Sequence, residues 1–160
     1  MNAQLLGTLL DQHGAALALY ARQWCSVPED VVQEAFLKLF AQSSWPRDPV
    51  PWLYRVVRNG ALDQAKTERR RKVREAKAGA TWFAEPEVEG LSAEAAVAAL
   101  QQLPHETREI LVARLWGGLT FEQIGVIAGC VASSAHRRYE AGLAQLRQLL
   151  GEPCPTKSIP

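Results

Sequence analysis

The sequence predicts an all-α protein made of two small helical domains joined by a flexible linker, the second of which contains a helix-turn-helix. Apolar residues recur at intervals of three and four along most of the chain, and no segment alternates as a half-buried strand would. Residues 78–90 lack this periodicity and contain two glycines and a proline, which favours a domain boundary there. A helical pattern breaks at Gly129, which follows another glycine, Gly125, by four residues, and the pattern resumes at Ala132. This spacing is typical of a helix-turn-helix.

The N-terminal half carries three helical patterns. Apolar residues over 5–24 predict a first helix, or a bent pair that breaks near Gly14. Residues 26–29, Ser-Val-Pro-Glu, have the spacing of an N-terminal capping box, and the stripe over 32–40 predicts a second helix. Residues 45–51 contain three prolines and predict a rigid connector before a third helix that starts at Trp52. Three helices with facing apolar stripes are enough for a small core.

The C-terminal half predicts four further helices. An alanine-rich helix ends near Gln102, and Pro104 suits the first turn of the next helix, which the pair Gly117-Gly118 ends. Thr120 and Gln123 have the spacing of a second capping box. Inward-facing positions of these helices are predicted at Ile110, Leu111, Leu115, Leu143, Leu146, Leu149 and Leu150.

Charge is distributed unevenly along the chain. The formal net charge is only +1, but residues 55–77 carry nine basic and three acidic side chains, and residues 78–102 carry four glutamates and no Lys or Arg. A basic block beside an acidic segment indicates a localised site for a polyanion.

Several classes of function are disfavoured by composition. Cys25, Cys130 and Cys154 are widely spaced and odd in number, so neither a disulfide framework nor a metal site is expected, and no cofactor is predicted. No glycine-rich phosphate loop or nucleophile elbow appears, so the chain is not expected to be an enzyme. No stretch approaches the roughly 20 apolar residues of a membrane span, and no leader-like segment begins the chain. We therefore expect a cytoplasmic protein without membrane insertion.

Three segments carry a family pattern. Residues 30–39 have the sequence Asp-Val-Val-Gln-Glu-Ala-Phe-Leu-Lys-Leu, and residues 52–63 have the sequence Trp-Leu-Tyr-Arg-Val-Val-Arg-Asn-Gly-Ala-Leu-Asp. The third is the helix-turn-helix half, residues 103–146. In this order the segments resemble those of the bacterial extracytoplasmic-function sigma factors, a compact class of RNA polymerase specificity subunits in the sigma-70 superfamily.

The resemblance implies an organisation into sigma regions. It implies a region 2 domain over 1–77, which binds core polymerase and the minus-ten promoter element, a linker over 78–94, and a region 4 domain over 95–150, which binds the minus-thirty-five element. Residues 151–160 are too short for a further domain and are expected to form a disordered tail. Core RNA polymerase, promoter DNA and an anti-sigma factor are the partners that the resemblance implies.

The second helix is the implied polymerase-binding element. Its site residues are Asp30, Gln33, Glu34 and Lys38. Gln33 and Glu34 lie between the core-facing Val32 and Phe36, so they are predicted to point outward. An ordinary solvated helix face is the alternative, since surface charges seldom carry a function by themselves.

The resemblance implies that the third helix binds the minus-ten element. The residues expected to meet DNA there are Arg55, Arg58, Asn59, Asp63, Lys66, Arg69, Arg70 and Arg71. Trp45, Trp52 or Tyr54 could stack on exposed bases, although the apolar stripe favours a core role for these rings. The alternative for the arginine run is a solvated helix end.

The resemblance implies that the start of the last helix binds the minus-thirty-five element. Its site residues are Ser133, Ser134, His136, Arg137 and Arg138, which occupy the first turns of a recognition helix. The serines could instead only cap that helix. Residues 141–145 are neutral where the family usually continues with basic residues, and Gly142 is expected to cost roughly 1 kcal/mol of helix stability. We therefore expect weak binding at this element unless polymerase and the basic helix hold it in place.

Two other functions remain open on sequence grounds. A free-standing helix-turn-helix regulator would bind a duplex operator as a dimer without polymerase. A helical interaction protein with an incidental basic face would bind no specific DNA. A sigma factor is the function that all three segments together favour.

Overall fold

A computed structural model describes residues 3–75 and 93–151, and these residues form seven α-helices. The helices are α1 (Ala3–Ala21), α2 (Pro28–Phe40), α3 (Pro49–Glu75), α4 (Ala93–Gln102), α5 (His105–Leu115), α6 (Phe121–Ala128) and α7 (Ala132–Leu149). Within the described ranges there is no strand, and no helix is long and apolar enough to cross a membrane. Of the predicted linker, 78–92 lies outside the described residues and 93–94 begin α4; of the predicted tail, only Gly151 is described.

Helices α1, α2 and α3 pack against one another and form the N-terminal domain. Their shared core contains Leu17, Tyr20, Leu39, Leu53 and Val57, all of which are fully buried. Helix α1 runs unbroken past Gly14, so a single helix, not a bent pair, is present. Helix α3 starts at Pro49, three residues before the predicted start, because proline is well suited to a first helical turn.

The predicted capping box at the start of α2 is wrong. Val27 is the N-cap residue and makes no side-chain cap, and Pro28 is the first helical residue. Ser26 instead donates to Glu68 Oε1 on α3, from its backbone nitrogen at 3.0 Å and from its hydroxyl at 2.6 Å. The serine therefore ties the start of one helix to the side of another.

The capping box at the start of α6 is confirmed. The Gln123 backbone N–H donates to Thr120 Oγ1 at 3.2 Å, and the Thr120 N–H donates to Gln123 Oε1 at 2.9 Å. The preceding helix, α5, ends as predicted at its glycine pair, where Gly118 has a φ of 65°. These local signals fix the position and direction of α6.

Gly142 lies where α7 crosses α5. It is buried, and a Cβ at this position would overlap Thr107 Cγ2 and meet Leu111 Cδ1 at 3.2 Å. The sequence alone indicated only a loss of helix stability at Gly142. In the fold, the missing side chain lets the two helix backbones approach.

Three positions predicted to face inward are exposed at the ends of helices. Phe40 is 47% exposed, and Leu115 and Leu149 are also exposed. Each lies at or next to the last residue of its helix, where the neighbouring helices no longer cover it.

One hydrophobic cluster crosses the boundary between the two domains, and a second lies within the C-terminal domain. A single cluster of buried residues includes Leu17 and Tyr54 from the N-terminal domain and Ile110, Val112 and Ile124 from the C-terminal domain. Helix α1 contacts α5, and α3 contacts α6. The structure is therefore a closed arrangement in which the domains are packed together.

Candidate nucleic-acid and partner interfaces

The turn between α6 and α7 depends on two glycines. Gly129 has a φ of 77°, in the left-handed region, and ends α6. The N–H groups of Gly129 and Cys130 both donate to the Gly125 carbonyl at 2.9 Å. A Cβ on Gly125 would overlap the Cys130 carbonyl oxygen. The roles predicted for both glycines, close approach and a positive-φ turn, are confirmed.

The start of α7 presents polar side chains to solvent. Ser133, His136, Arg137 and Arg138 are exposed, and Ser134 is half-buried. Val131 is the N-cap residue and makes no side-chain cap, so neither serine caps the helix. The first turns of α7 therefore leave polar side chains accessible to a partner, as a recognition helix requires.

The interactions that these side chains make with neighbours on the same surface are weak. Arg137 lies 3.4 Å from Ser134 Oγ, and the nearest oxygens of Glu140 and Glu106 are 3.5 Å from His136 and 3.8 Å from Arg138. Exposed pairs of this kind contribute little to stability. The two guanidinium groups can therefore turn to a phosphate or a base edge at small cost.

Helix α3 carries the basic surface predicted from its charge. The exposed members of the predicted set are Arg55, Asn59, Asp63, Lys66, Arg69, Arg70 and Arg71. They lie on the solvent side of the helix, both alongside the part that packs in the core and beyond it. The five cations among them suit a polyanionic backbone.

Arg58 differs from its neighbours on α3. Its Nε lies 2.6 Å from Oε1 of Glu109, a residue of α5 that is only 4% exposed. Its guanidinium also lies over the ring of Trp24, 5.7 Å from the ring centre. In this closed arrangement Arg58 serves the contact between the domains, and its predicted role at DNA would require a different state.

The aromatic residues near α3 belong mainly to the core. Tyr54 is completely buried, and Trp45 and Trp52 are partly buried and pack against the core cluster. Burial raises the pKa of Tyr54 well above its usual value. The core role favoured by the apolar stripe agrees with these positions.

Helix α2 presents its predicted site residues on the outside. Asp30, Gln33, Glu34 and Lys38 are all exposed, and the Lys38 ammonium lies 3.1 Å from Glu34 one turn away. Beside them runs an apolar groove of about 680 Å³ between α1 and α2. Its walls include Leu6, Leu10, Phe36, Leu37 and Phe40.

Sequence reasoning missed the apolar part of this surface. Leu37 is 61% exposed, and it belongs neither to the predicted core stripe nor to the predicted polar site residues of α2. A leucine between Phe36 and Lys38, off the core stripe, is the signal that could have found it. Exposed apolar side chains that line a groove with polar edges are typical of an interaction site.

Sequence reasoning also missed Glu109. This glutamate directly precedes the buried run Ile110, Leu111, Val112 and Ala113. A charge beside such a run could have indicated a buried ion pair, since carboxylates are rarely buried unless paired.

The cysteines and acidic residues form no metal centre in the described parts of the chain, where no three His, Cys, Asp or Glu side chains come together. Cys25 is buried, donates to the Ala21 carbonyl at 3.5 Å, and has its pKa raised to about 11 by burial. Cys130 is half-buried in the turn between α6 and α7.

Comparison with known proteins identifies both halves. The Sigma-70 region 2 family profile matches residues 9–71, and the Sigma-70, region 4 profile matches residues 99–148. The chain is 31% identical over 134 residues to the RNA polymerase sigma factor CarQ of Myxococcus xanthus, an alignment that covers 79% of this chain and 76% of CarQ. It is 29% identical over 147 residues to the probable RNA polymerase sigma factor RfaY of Xanthomonas campestris, of which it spans only 37%.

A solved structure has the same fold. The sigma factor RpoE from Bartonella quintana, in complex with the anti-sigma factor NepR, superposes with a TM-score of 0.76 at 22% identity. The match covers 94% of this chain and 98% of RpoE. This likeness shows that the two chains have the same fold.

Proposed function

The chain belongs to the extracytoplasmic-function sigma factors of the sigma-70 superfamily, and on this basis we propose that it binds core RNA polymerase and directs promoter-specific initiation of transcription. The observation that carries this proposal is the surface of α2, where exposed polar residues border an apolar groove with Leu37 at its edge. A free-standing regulator would use such a surface only to form its dimer, and binding to core polymerase separates the two functions.

The N-terminal surface is assigned to polymerase and to the minus-ten element. Asp30, Gln33, Glu34 and Lys38 supply polar contacts around the groove, whose apolar walls can accept side chains of a partner helix. The exposed cations of α3 neutralise the phosphates of the melted strand, and Asn59 lies among them to meet a base. Residues 1–77 hold both functions in this proposal.

The C-terminal surface is assigned to the minus-thirty-five element. The first turns of α7 enter the major groove, where Arg137 or Arg138 contacts a guanine or a phosphate. Ser133, Ser134 and His136 are placed to meet the backbone or base edges next to them. Residues 95–150 hold this function, and the covalent link to the N-terminal domain raises its effective concentration at the promoter.

The remaining parts of the proposal concern partners and location. The RpoE structure includes an anti-sigma factor, and we propose a partner of that class for this chain as well. The function involves no catalysis by the chain itself. Because core polymerase and promoter DNA are the partners in this proposal, we propose a cytoplasmic location as well.

The test is run-off transcription with bacterial core polymerase on a library of genomic fragments, with and without the chain. Discrete start sites that require the chain are expected. No start sites, together with no co-elution of the chain with core polymerase, would contradict the sigma function and leave the operator-binding regulator.

A pair of leucine variants links the result to α2. Leu37 lines the groove and Leu5 does not, and both are exposed on the N-terminal domain. Leu37→Ala should weaken binding to core polymerase by roughly thirty-fold, as expected for an anchoring side chain, while Leu5→Ala should bind as the wild type does. Equal binding to core polymerase by the wild type and both variants would show that the groove does not contact polymerase.

A further inference from the structure

Glu109 joins three helices of the two domains through one carboxylate oxygen. Its Oε1 accepts a hydrogen bond from the Tyr20 hydroxyl at 2.7 Å and from Arg58 Nε at 2.6 Å. Tyr20 lies on α1 and Arg58 on α3, whereas Glu109 lies on α5. Both donors therefore belong to the N-terminal domain, and the acceptor belongs to the C-terminal domain.

The surroundings hold both donors in place. The Tyr20 ring packs edge-on against Trp24 and Tyr54, each at 5.0 Å between ring centres. Burial and the neighbouring carboxylate raise the pKa of Tyr20 well above its usual value, so its hydroxyl stays protonated and donates. Trp24 also packs edge-on against His105 of α5, with 5.2 Å between the ring centres. This pair adds a second contact between the two domains beside Glu109.

A buried charge needs its partners. A carboxylate and a guanidinium that are taken out of water stabilise a structure only when they are paired and hydrogen-bonded, and loss of one partner leaves the other charge uncompensated. Apolar contacts across the domain boundary would tolerate a range of shifts. Two short hydrogen bonds to the same oxygen of Glu109 tolerate less displacement, because a shift of α5 lengthens at least one of them.

We infer that Tyr20, Arg58 and Glu109 form a latch that holds the two domains in the closed arrangement, and that Arg58 is released for other contacts only when the latch opens. The contrast along α3 supports this inference. Arg55 and Asn59, on either side of Arg58, are exposed, while Arg58 is covered by Glu109 and Trp24. The latch is a property of the free chain and requires neither polymerase nor DNA.

Small-angle scattering of the full chain tests the latch. A compact chain of this length has a radius of gyration of roughly 15 Å, and separated domains give a larger value. Glu109→Gln keeps the shape of the side chain and removes its charge, so it should increase the radius of gyration relative to wild type. Glu106→Gln, an exposed position on the same helix, is the matched control and should not change it.

Further variants make the result specific. Tyr20→Phe removes one donor without altering the ring packing and should open the chain less than Glu109→Gln does. Arg58→Gln should open it as Glu109→Gln does, and the double variant should add little, because both changes break one contact. The helix content from circular dichroism shows whether each variant is folded, and Tyr20→Phe decides the question if Glu109→Gln is not.

A folded Glu109→Gln or Tyr20→Phe variant with the wild-type radius of gyration would overturn the latch. A second measurement, which does rest on the proposed function, uses a single-stranded DNA of the minus-ten type. Glu109→Gln should bind it more tightly than wild type, and Arg58→Gln more weakly, although both open the latch. Opening without any effect on DNA binding would keep the latch and overturn only the role of Arg58 at DNA.

Discussion

The hydroxyl of Tyr54 lies directly against the backbone of Gly117. A Cβ at Gly117 would be 2.6 Å from Tyr54 Oη and 2.5 Å from the Ala113 carbonyl oxygen. Tyr54 belongs to α3 and Gly117 follows α5, so this contact is part of the boundary between the domains. The absence of a side chain at Gly117 is what allows the tyrosine ring to be buried there.

Gly117→Ala is therefore expected to lower the free energy of unfolding by about 1–3 kcal/mol, as overpacking does. Urea denaturation measures the effect. Gly7→Ala is the control, because a Cβ at Gly7 has no neighbour within 4 Å, and alanine should there stabilise α1 by about 0.5–1 kcal/mol. Stabilisation by both substitutions would show that the contact with Tyr54 does not exclude a side chain at Gly117.

Gly142→Ala should also destabilise the protein by about 1–3 kcal/mol, although alanine favours a helix more than glycine does. The cause is Thr107 Cγ2, which occupies the space of the new methyl group. Thr107→Ser removes that methyl and should restore part of the loss in the double variant. Without such a recovery, Thr107 would not be the obstacle.

The two glycines of the helix-turn-helix should respond differently to substitution. Gly129→Ala places a side chain at a φ of 77° and should cost about 1 kcal/mol, while Gly129→Asn should cost less. Gly125→Ala should cost more than Gly129→Ala, because its Cβ meets a backbone carbonyl that cannot move independently. Thermal unfolding ranks the three variants, and equal costs at both glycines would contradict this account of the turn.

His105 should make stability depend on pH. Partial burial lowers the pKa of His105 below the usual 6.5, assisted by Arg108 and by Arg58 of α3, and opposed by Glu109 and Glu106. Because the folded state binds the proton less readily than the unfolded chain, the contribution of His105 is complete above pH 6.5 and is lost as the pH falls through the lowered pKa.

The measurement is the free energy of unfolding at about pH 7.5 and about pH 5.5 for the wild type and His105→Gln. The wild type should lose more stability over this interval than the variant does. Identical losses would mean that the histidine is as easily protonated in the fold as in the unfolded chain.

Arg137→Ala should weaken binding of a minus-thirty-five duplex by at least about 1 kcal/mol, because a guanidinium contact to base or phosphate is lost. If the contact is to a phosphate, the salt slope should also fall by about 0.9. Arg147→Ala, in the last turn of the same helix, is the control and should leave binding unchanged. An equal effect of both substitutions would indicate general charge attraction instead of a recognition helix.

Local signals in the sequence account for much of the fold. The capping pair Thr120 and Gln123 and the helix-ending Gly118 and Gly129 need only neighbouring residues, and each has its predicted role. The other capping pattern, at Ser26, has the same local form but fails because Glu68, 42 residues away, accepts the hydrogen bonds of the serine hydroxyl and N–H. A local capping pattern therefore fails when a residue distant in sequence lies within hydrogen-bonding distance of the capping residue.

The candidate sites show the same division. The predicted outward positions of Gln33 and Glu34 follow from the helical period and the neighbouring core residues, and the structure has both exposed. The exposure of Phe40 could not be assigned from that period, because the period does not tell where a neighbouring helix stops covering the surface.

The sequence by itself determined that the chain is helical, where its charge is concentrated, and to which family it belongs, because periodicity, composition and ordered motifs are properties of the chain alone. Only the tertiary structure decided that Arg58 faces a buried carboxylate 51 residues away and that Gly117 and Gly142 are points of close approach. Such pairings depend on which helix faces meet, and that choice comes from packing the whole core together, which no local stretch of sequence encodes.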